Sequence, residues 1–420
     1  MPGFFVFKVS LSVMNNLFPR AYFLLFLGLT IAFLSCSREN KQPYLVILSM
    51  DGFRWDYPDS IPTPNLDRIA AGGVKAVSLR PSFPSKTFPN HYTMATGLYP
   101  DHHGIVMNSF YDPETDRYYA IKNREAVEDG SFYGGEPIWV TAEKQGMKSA
   151  SFFWVGSEAE IGGYRPSIWK KYDWKVPYED RMDSVIAWLQ VPEPQGPHLI
   201  MWYMSEPDHL GHVHGPFSEE ANEMIMYQDT LLGIFLEKIA ALPNAEEINL
   251  VFTSDHGMQR SYPDSTEYLE DYIKESWVKD IQGYNPNFVI LAAEGCIDSL
   301  YNALKQAKHL STWKYGEVPA RLNYGTNPRC KDIIICADSA WRVKVARDER
   351  EGSYGDHGYD NYNTDMHAIF YATGPAFKEG HVHPTFNNVD LYPLFAHILK
   401  LKPAKVDGNF ENVRAMLVEK

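Results

Sequence analysis

Basic residues are in short supply: the 420-residue chain sets 39 Lys and Arg against 53 Asp and Glu, a formal net charge of −14. Long nucleic acids bind through dense cationic surfaces, so no obligate polynucleotide partner is expected. A small anionic substrate is not, because bound metal ions reverse the local field whatever the net charge. Cysteine is scarce too, with four in the whole chain. Internal repeats and low-complexity tracts are absent, which excludes a solenoid and an extended disordered tail. What is there is 45% hydrophobic. That is ample for one large core, or for a core carrying an inserted subdomain.

Residues 1–36 hold Lys8 and Arg20 but no acid, and the apolar run 21–34 is followed by Ser35, Cys36 and a polar stretch. Charged start, apolar middle and small residues at the end are export-signal organisation. The pattern is similar to a bacterial lipoprotein leader, and it implies cleavage and lipidation at Cys36, a lipid-anchored membrane association and a periplasmic or outer-membrane location. Phe33 departs from the aliphatic residue usual three places before such a cysteine. With Cys36 set aside, Cys296, Cys330 and Cys336 remain, an odd number. A local Cys330–Cys336 bridge with Cys296 free is one arrangement they permit.

Tyr44 to Met50 is an apolar run ending at Asp51-Gly52, and residues 64–71 follow with helical spacing, which opens a βα unit. Apolar runs at 198–205, 248–254 and 367–373 meet Glu206-Pro207-Asp208, Asp255-His256-Gly257 and Gly374-Pro375, with helical patterns at 180–189 and 221–241 between them. Such alternation predicts an α/β fold with a mostly parallel central sheet flanked by helices. Residues 259–356 separate Asp255-His256 from His357 and contain strand-like runs of their own, at 288–292 and 332–337. They are expected to form a smaller inserted cap subdomain. The catalytic domain is then 44–258 with 357–408, and 409–420 is a C-terminal tail.

Several short segments carry chemistry. Thr87 opens a segment that can run as a helix through Met94, with Pro89 tolerated in the first turn. A threonine there can serve simply as a cap. A hydroxyl at a helix N-terminus also meets open N–H groups that favour a phosphate, and contact with a divalent cation would make it a nucleophile. Asp208 and His212 lie four residues apart in a compact stretch that also holds His209 and His214, and spacing alone does not choose among the three imidazoles. Oxygen and nitrogen donors without sulfur suit a catalytic zinc, although manganese or iron fits such a set as well. Asp255-His256 follows a strand-like run, as Asp51 does, and His357 is bracketed by glycines at 355 and 358. Ends of strands are where open α/β sheets present their chemistry.

Six motifs in one order carry a resemblance: Met50-Asp51-Gly52-Phe53-Arg54, Lys86-Thr87-Phe88-Pro89-Asn90-His91, Gly97-Leu98-Tyr99-Pro100 through His103-Gly104-Ile105, Glu206-Pro207-Asp208 through Gly215-Pro216, Ser254-Asp255-His256-Gly257-Met258 and His357-Gly358. The chain resembles the nucleotide pyrophosphatase/phosphodiesterase family of the alkaline phosphatase superfamily. The resemblance covers residues 45–408. It implies an alkaline phosphatase-like fold and two divalent ions, zinc by preference. Asp208, His212 and His357 would hold one ion, and Asp51, Thr87, Asp255 and His256 the other. It further implies Thr87 as nucleophile, Asn108 as donor to a phosphoryl oxygen, and Phe88 and Tyr172 as rings that sandwich a nucleobase. In a chain that is 14% aromatic, core packing is the alternative role for those two rings. The expected substrate is a nucleotide or related small diester. A phospholipid or glycerophosphodiester is the alternative, and the neutral Asn108 disfavours a monoester. A non-catalytic metal-binding surface protein would have shed a ligand or the nucleophile, and neither is missing.

Overall fold

The computed structural model describes residue 3, residues 42–347 and residues 353–419. Residue 3 apart, the expected leader, Cys36 included, lies outside the described residues. In chain order the elements that matter here are β1 (Tyr44–Met50), α1 (Pro64–Ala71), β2 (Val74–Ala76), α2 (Thr87–Thr96), β3 (Ser149–Phe152), β4 (Ile168–Lys170), α3 (Tyr178–Leu189), β5 (Leu199–Met204), α4 (Asp208–His214), α5 (Glu219–Ala240) and β6 (Ile248–Thr253). Then come β7 (Val278–Tyr284), β8 (Asn287–Ala292), β9 (Leu310–Lys314), β10 (Ile333–Ala337), β11 (Phe370–Thr373), β12 (His381–His383) and α6 (Leu391–Ile398).

Every residue of β1 is buried. Leu45 and Ile47 join the apolar cluster that contains Tyr92 and Met94 of α2 and Leu391, Leu394 and Phe395 of α6. Tyr44, Val46, Leu48 and Met50 point the other way, onto Leu66 and Ile69 of α1, Met182 and Val185 of α3 and Leu232 and Phe235 of α5. A continuous apolar strand is thus the signature of a sheet covered on both faces.

The eight-stranded sheet runs β12-β2-β11-β6-β1-β5-β3-β4. Pairing from β6 through β4 is parallel throughout, and β12 is parallel to β2. β11 is antiparallel to both β6 and β2, so the sheet is mixed but mostly parallel. In register, Met50 pairs with Met204 and Ser49 with Thr253. The chain leaves β1, β5 and β6 at one edge. That edge is a switch point, since β1 is followed in sequence by strands on either side of it.

A second, four-stranded antiparallel sheet, ordered β7-β8-β10-β9, has its own apolar cluster around Phe288, Ile290, Leu300, Ile333 and Ile335. The β7–β8 hairpin brings Tyr284 and Asn285 to the neighbourhood of α2, because Lys86 Nζ donates to Asn285 O at 2.6 Å. Cys296, Cys330 and Cys336 are all free thiols.

Candidate metal centre and nucleophile

Asp51 is the first residue after β1, and its N–H donates to Met204 O of β5 at 2.9 Å. The Asp208 N–H then donates to Asp51 O at 3.1 Å, which ties the start of α4 to the end of β1. Gly52 permits this approach. Its φ is +67°, and a Cβ there would stand 2.9 Å from Asp208 Cα. Beyond β6, Asp255 takes Gly52 N–H on Oδ1 at 3.2 Å. Three strand ends are therefore stitched together with their carboxylates on one side.

Asp208 Oδ1 lies 3.5 Å from His212 Nε2, one helical turn on, and 3.6 Å from His357 Nε2. His256 Nε2 lies 3.0 Å from Asp255 Oδ2, 3.4 Å from Asp51 Oδ1 and 3.3 Å from the Thr87 hydroxyl. Donor atoms of Asp208, His212 and His357 all fall within 4.8 Å of one another, and so do those of Asp51, Asp208 and His256. His214 turns instead to Glu220, 3.3 Å away.

The imidazoles share one arrangement. Each Nδ1 reaches a main-chain carbonyl at 2.8 Å: His212 that of Gly355, His256 that of Gly257 and His357 that of Ser85. A carbonyl can only accept, so Nδ1 carries the proton and every Nε2 presents a lone pair to the centre, the pose of a metal-ligating histidine. Asp51 Oδ1, Asp208 Oδ1 and Asp255 Oδ2 are buried and take no hydrogen bond. Orphaned buried oxygens of this kind are costly unless a cation sits among them.

The electrostatics carry the same message. Burial, then the charges of Asp255 and Asp208, push the Asp51 carboxyl well above the usual range. Burial would raise Asp255 as well, but His256 and His91 hold it well below. Burial acts to lower His256, and Asp255 outweighs it, so that imidazole is raised. His357 is driven well below its ordinary value by burial and then by His256, Lys86 and His212. Crowded acids and lone pairs fit divalent cations bound by oxygen and nitrogen.

Thr87 is the first residue of α2, and Lys86 before it offers no side-chain cap. The next N–H, that of Phe88, donates to Asn108 Oδ1 at 2.9 Å. Asn108 thus sits beside the start of α2, where Thr87 stands. Tyr172 is 40% exposed, with its ring 6.4 Å from that of Tyr203. Phe88 packs on the core and on Tyr119, with ring centroids 6.3 Å apart.

Four residues here have no role in the motif reading. Tyr203 donates to Asp51 Oδ2 at 2.6 Å. His91 reaches Asp255 Oδ2 at 3.3 Å, with its Nε2 2.9 Å from the Ser49 hydroxyl. Buried Lys86 lies 3.8 Å from Asp356 Oδ1, and Tyr284 meets Asn108 Nδ2 at 2.5 Å. His91 was open to detection, since it stands four residues beyond Thr87 on one helix face. The tyrosines carry no local signal.

Sheet, switch point and site define an alkaline phosphatase-like α/β chain whose centre lies at the carboxyl ends of its middle strands. The type I phosphodiesterase/nucleotide pyrophosphatase profile matches residues 45–360. The venom phosphodiesterase CdcPDE of Crotalus durissus collilineatus is 34% identical over 393 residues, covering 91% of this chain and 47% of its own length. Ectonucleotide pyrophosphatase/phosphodiesterase family member 1 of Homo sapiens is 34% identical over 398 residues, with 91% and 42% covered. The chain spans about half the length of the curated relatives it matches. Murine ectonucleotide pyrophosphatase/phosphodiesterase 5 superposes with a TM-score of 0.86 at 33% identity, covering 89% of this chain and all of that one. The same murine protein, as an inactive threonine-to-alanine variant in complex with AMP, gives 0.86 and 33%, with 90% of this chain and 100% of that one covered. This chain belongs to the type I phosphodiesterase/nucleotide pyrophosphatase family.

Proposed function

We propose that the chain hydrolyses phosphodiester or pyrophosphate bonds in nucleotides and related small diesters, with Thr87 as nucleophile. The observation that carries this reading is the set of three buried carboxylate oxygens without hydrogen bonds gathered near a hydroxyl at a helix N-terminus. Asp208, His212 and His357 would hold one divalent ion, and Asp51, Thr87, Asp255 and His256 a second. When bound, the pair supplies a lowered pKa for the threonine hydroxyl and for water, and positive charge for the leaving oxygen.

Thr87 Oγ attacks phosphorus in line; the Oγ–P bond forms as the bond to the leaving oxygen breaks. Water then cleaves the phosphothreonine from the opposite side and frees Thr87. Asn108 stays in place through the Phe88 N–H and can donate from Nδ2 to a phosphoryl oxygen. A neutral donor beside a group of acids suits the single charge of a diester better than the double charge of a monoester. Phe88 and Tyr172 would flank the base. The leader at 1–36 further supports export with a lipid at Cys36; fatty-acid labelling that survives in Cys36→Ala would refute that part.

The test compares the p-nitrophenyl ester of thymidine 5′-monophosphate, bis-p-nitrophenyl phosphate and p-nitrophenyl phosphate, with chelator and with zinc restored. A zinc-restored preference for the thymidine diester is expected. Dominant monoester turnover, or turnover indifferent to chelation, would sink the proposal. Trp174, 69% exposed and two residues from Tyr172, gives the lipid-diester reading a foothold, and a glycerophosphodiester outcompeting the thymidine ester would favour it.

A further inference from the structure

The Phe88 N–H donates to Asn108 Oδ1 at 2.9 Å, which fixes which end of that carboxamide faces where. Its nitrogen end therefore meets the Tyr284 hydroxyl, at 2.5 Å. An amide N–H only donates, so the phenol oxygen accepts and its own proton must point elsewhere. Among the described residues no protein group takes that proton.

Tyr284 is not held there loosely. The next residue, Asn285, accepts Lys86 Nζ on its carbonyl at 2.6 Å and donates from Nδ2 to Asp356 Oδ2 at 2.6 Å. Lys86 precedes the nucleophile and Asp356 precedes a metal-binding histidine, so the hairpin tip is clamped between the two segments that build the centre. The Lys86 ammonium also lies 4.4 Å from the centroid of the Tyr284 ring. The residue as a whole is 42% exposed, at the rim of the centre rather than in the core. Burial of its hydroxyl, and after it the charges of Asp356, Asp208 and Asp51, raise that group and keep it protonated.

We propose that Tyr284, supplied by the second sheet, is part of the phosphoryl-binding site: it fixes the Asn108 carboxamide and offers its own O–H as a further uncharged donor to a phosphoryl oxygen. The proposal rests on the phosphodiesterase reading and deepens it. Two neutral donors, aligned before substrate arrives, stabilise the developing charge of a transferring phosphoryl group without the reorganisation that water requires. Neither brings a positive charge that would favour a dianion.

Two measurements test it. In zinc-loaded protein, Tyr284→Phe is expected to lower kcat for the thymidine p-nitrophenyl diester roughly tenfold or more, with KM changed less than about twofold and the melting temperature unmoved. A purely structural tyrosine would move the melting temperature and leave kcat alone, and that result overturns the proposal. Separately, AMP binding is measured by calorimetry on Thr87→Ala and on Thr87→Ala/Tyr284→Phe, where no turnover intervenes. About a tenfold weaker affinity in the double variant is expected from loss of one hydrogen bond to a charged oxygen. Equal affinities overturn the Tyr284 assignment alone. Absence of AMP binding to both variants overturns it together with the nucleotide reading, so the two failures are told apart.

Discussion

At the scale of single residues, the centre depends on side chains that touch no ion. His91 lies against Asp255, its Nδ1 3.3 Å from Oδ2 and 3.0 Å from Thr87 O, and its ring is buried against those of Trp154 and Tyr203. His91→Ala is expected to weaken metal binding about 10- to 100-fold, read by chelator competition, because a ligand without its support loses its aim. Unchanged affinity would remove His91 from the metal site's support. Thr87→Ala should abolish turnover while the protein still binds zinc and AMP; retained turnover would end the nucleophile assignment. The placement of the three carboxylates at strand ends was legible because each follows an apolar run, and a run followed by an acid is a strand end. Tyr203 and Tyr284 were not legible, since their partners Asp51 and Asn108 are 152 and 176 residues away in sequence.

At the scale of elements, the decisive geometry is the contact between the turn after β1 and the start of α4. Gly52→Ala would put a methyl group 2.9 Å from both Asp208 Cα and Cβ in a left-handed backbone. Strain of that kind costs roughly 1–2 kcal/mol before the clash is counted. Displacement of Asp208 should then lower kcat at least about tenfold, as small misplacements do. Gly146 is the control: φ is +82° and nothing lies within 4 Å of an added Cβ. Gly146→Ala should cost stability and spare turnover, and equal loss of turnover in both variants would refute the contact argument. Periodicity gave the elements themselves, to within three residues: β5 begins at Leu199 rather than at 198, and β11 at Phe370 rather than at 367. The direction of β11 is a different matter. Its apolar run is the same read either way, so a lone antiparallel strand in a parallel sheet leaves no local trace.

At the scale of the whole molecule, two histidines away from the candidate metal centre set an acid limit. Burial pulls His103 down to about 3 and His367 down to about 4, against an ordinary 6.5. Both stay neutral when folded and bind protons when unfolded, so stability is intact above pH 6.5 and falls as pH drops below it. Each contributes about 1.4 kcal/mol per pH unit, down to its own folded value. Urea unfolding of zinc-free protein at pH 6.5 and 5 should show a drop of about 2 to 4 kcal/mol, and His367→Asn should flatten it; identical slopes would refute the assignment. Chelation at neutral pH should lower the melting temperature, because ions that bind only the folded state stabilise it by mass action.

The carbonyls of Gly355, Gly257 and Ser85 that orient the three imidazoles have a consequence for how this chain can change. Main-chain oxygens are not altered by side-chain substitution. The ligand poses are therefore insulated from most point mutations nearby, whereas Phe88, Tyr172 and Trp174 can vary without touching them. A saturation library at those three positions should yield clones that differ in leaving group and base yet retain zinc, which is how one inherited chemistry comes to serve many substrates.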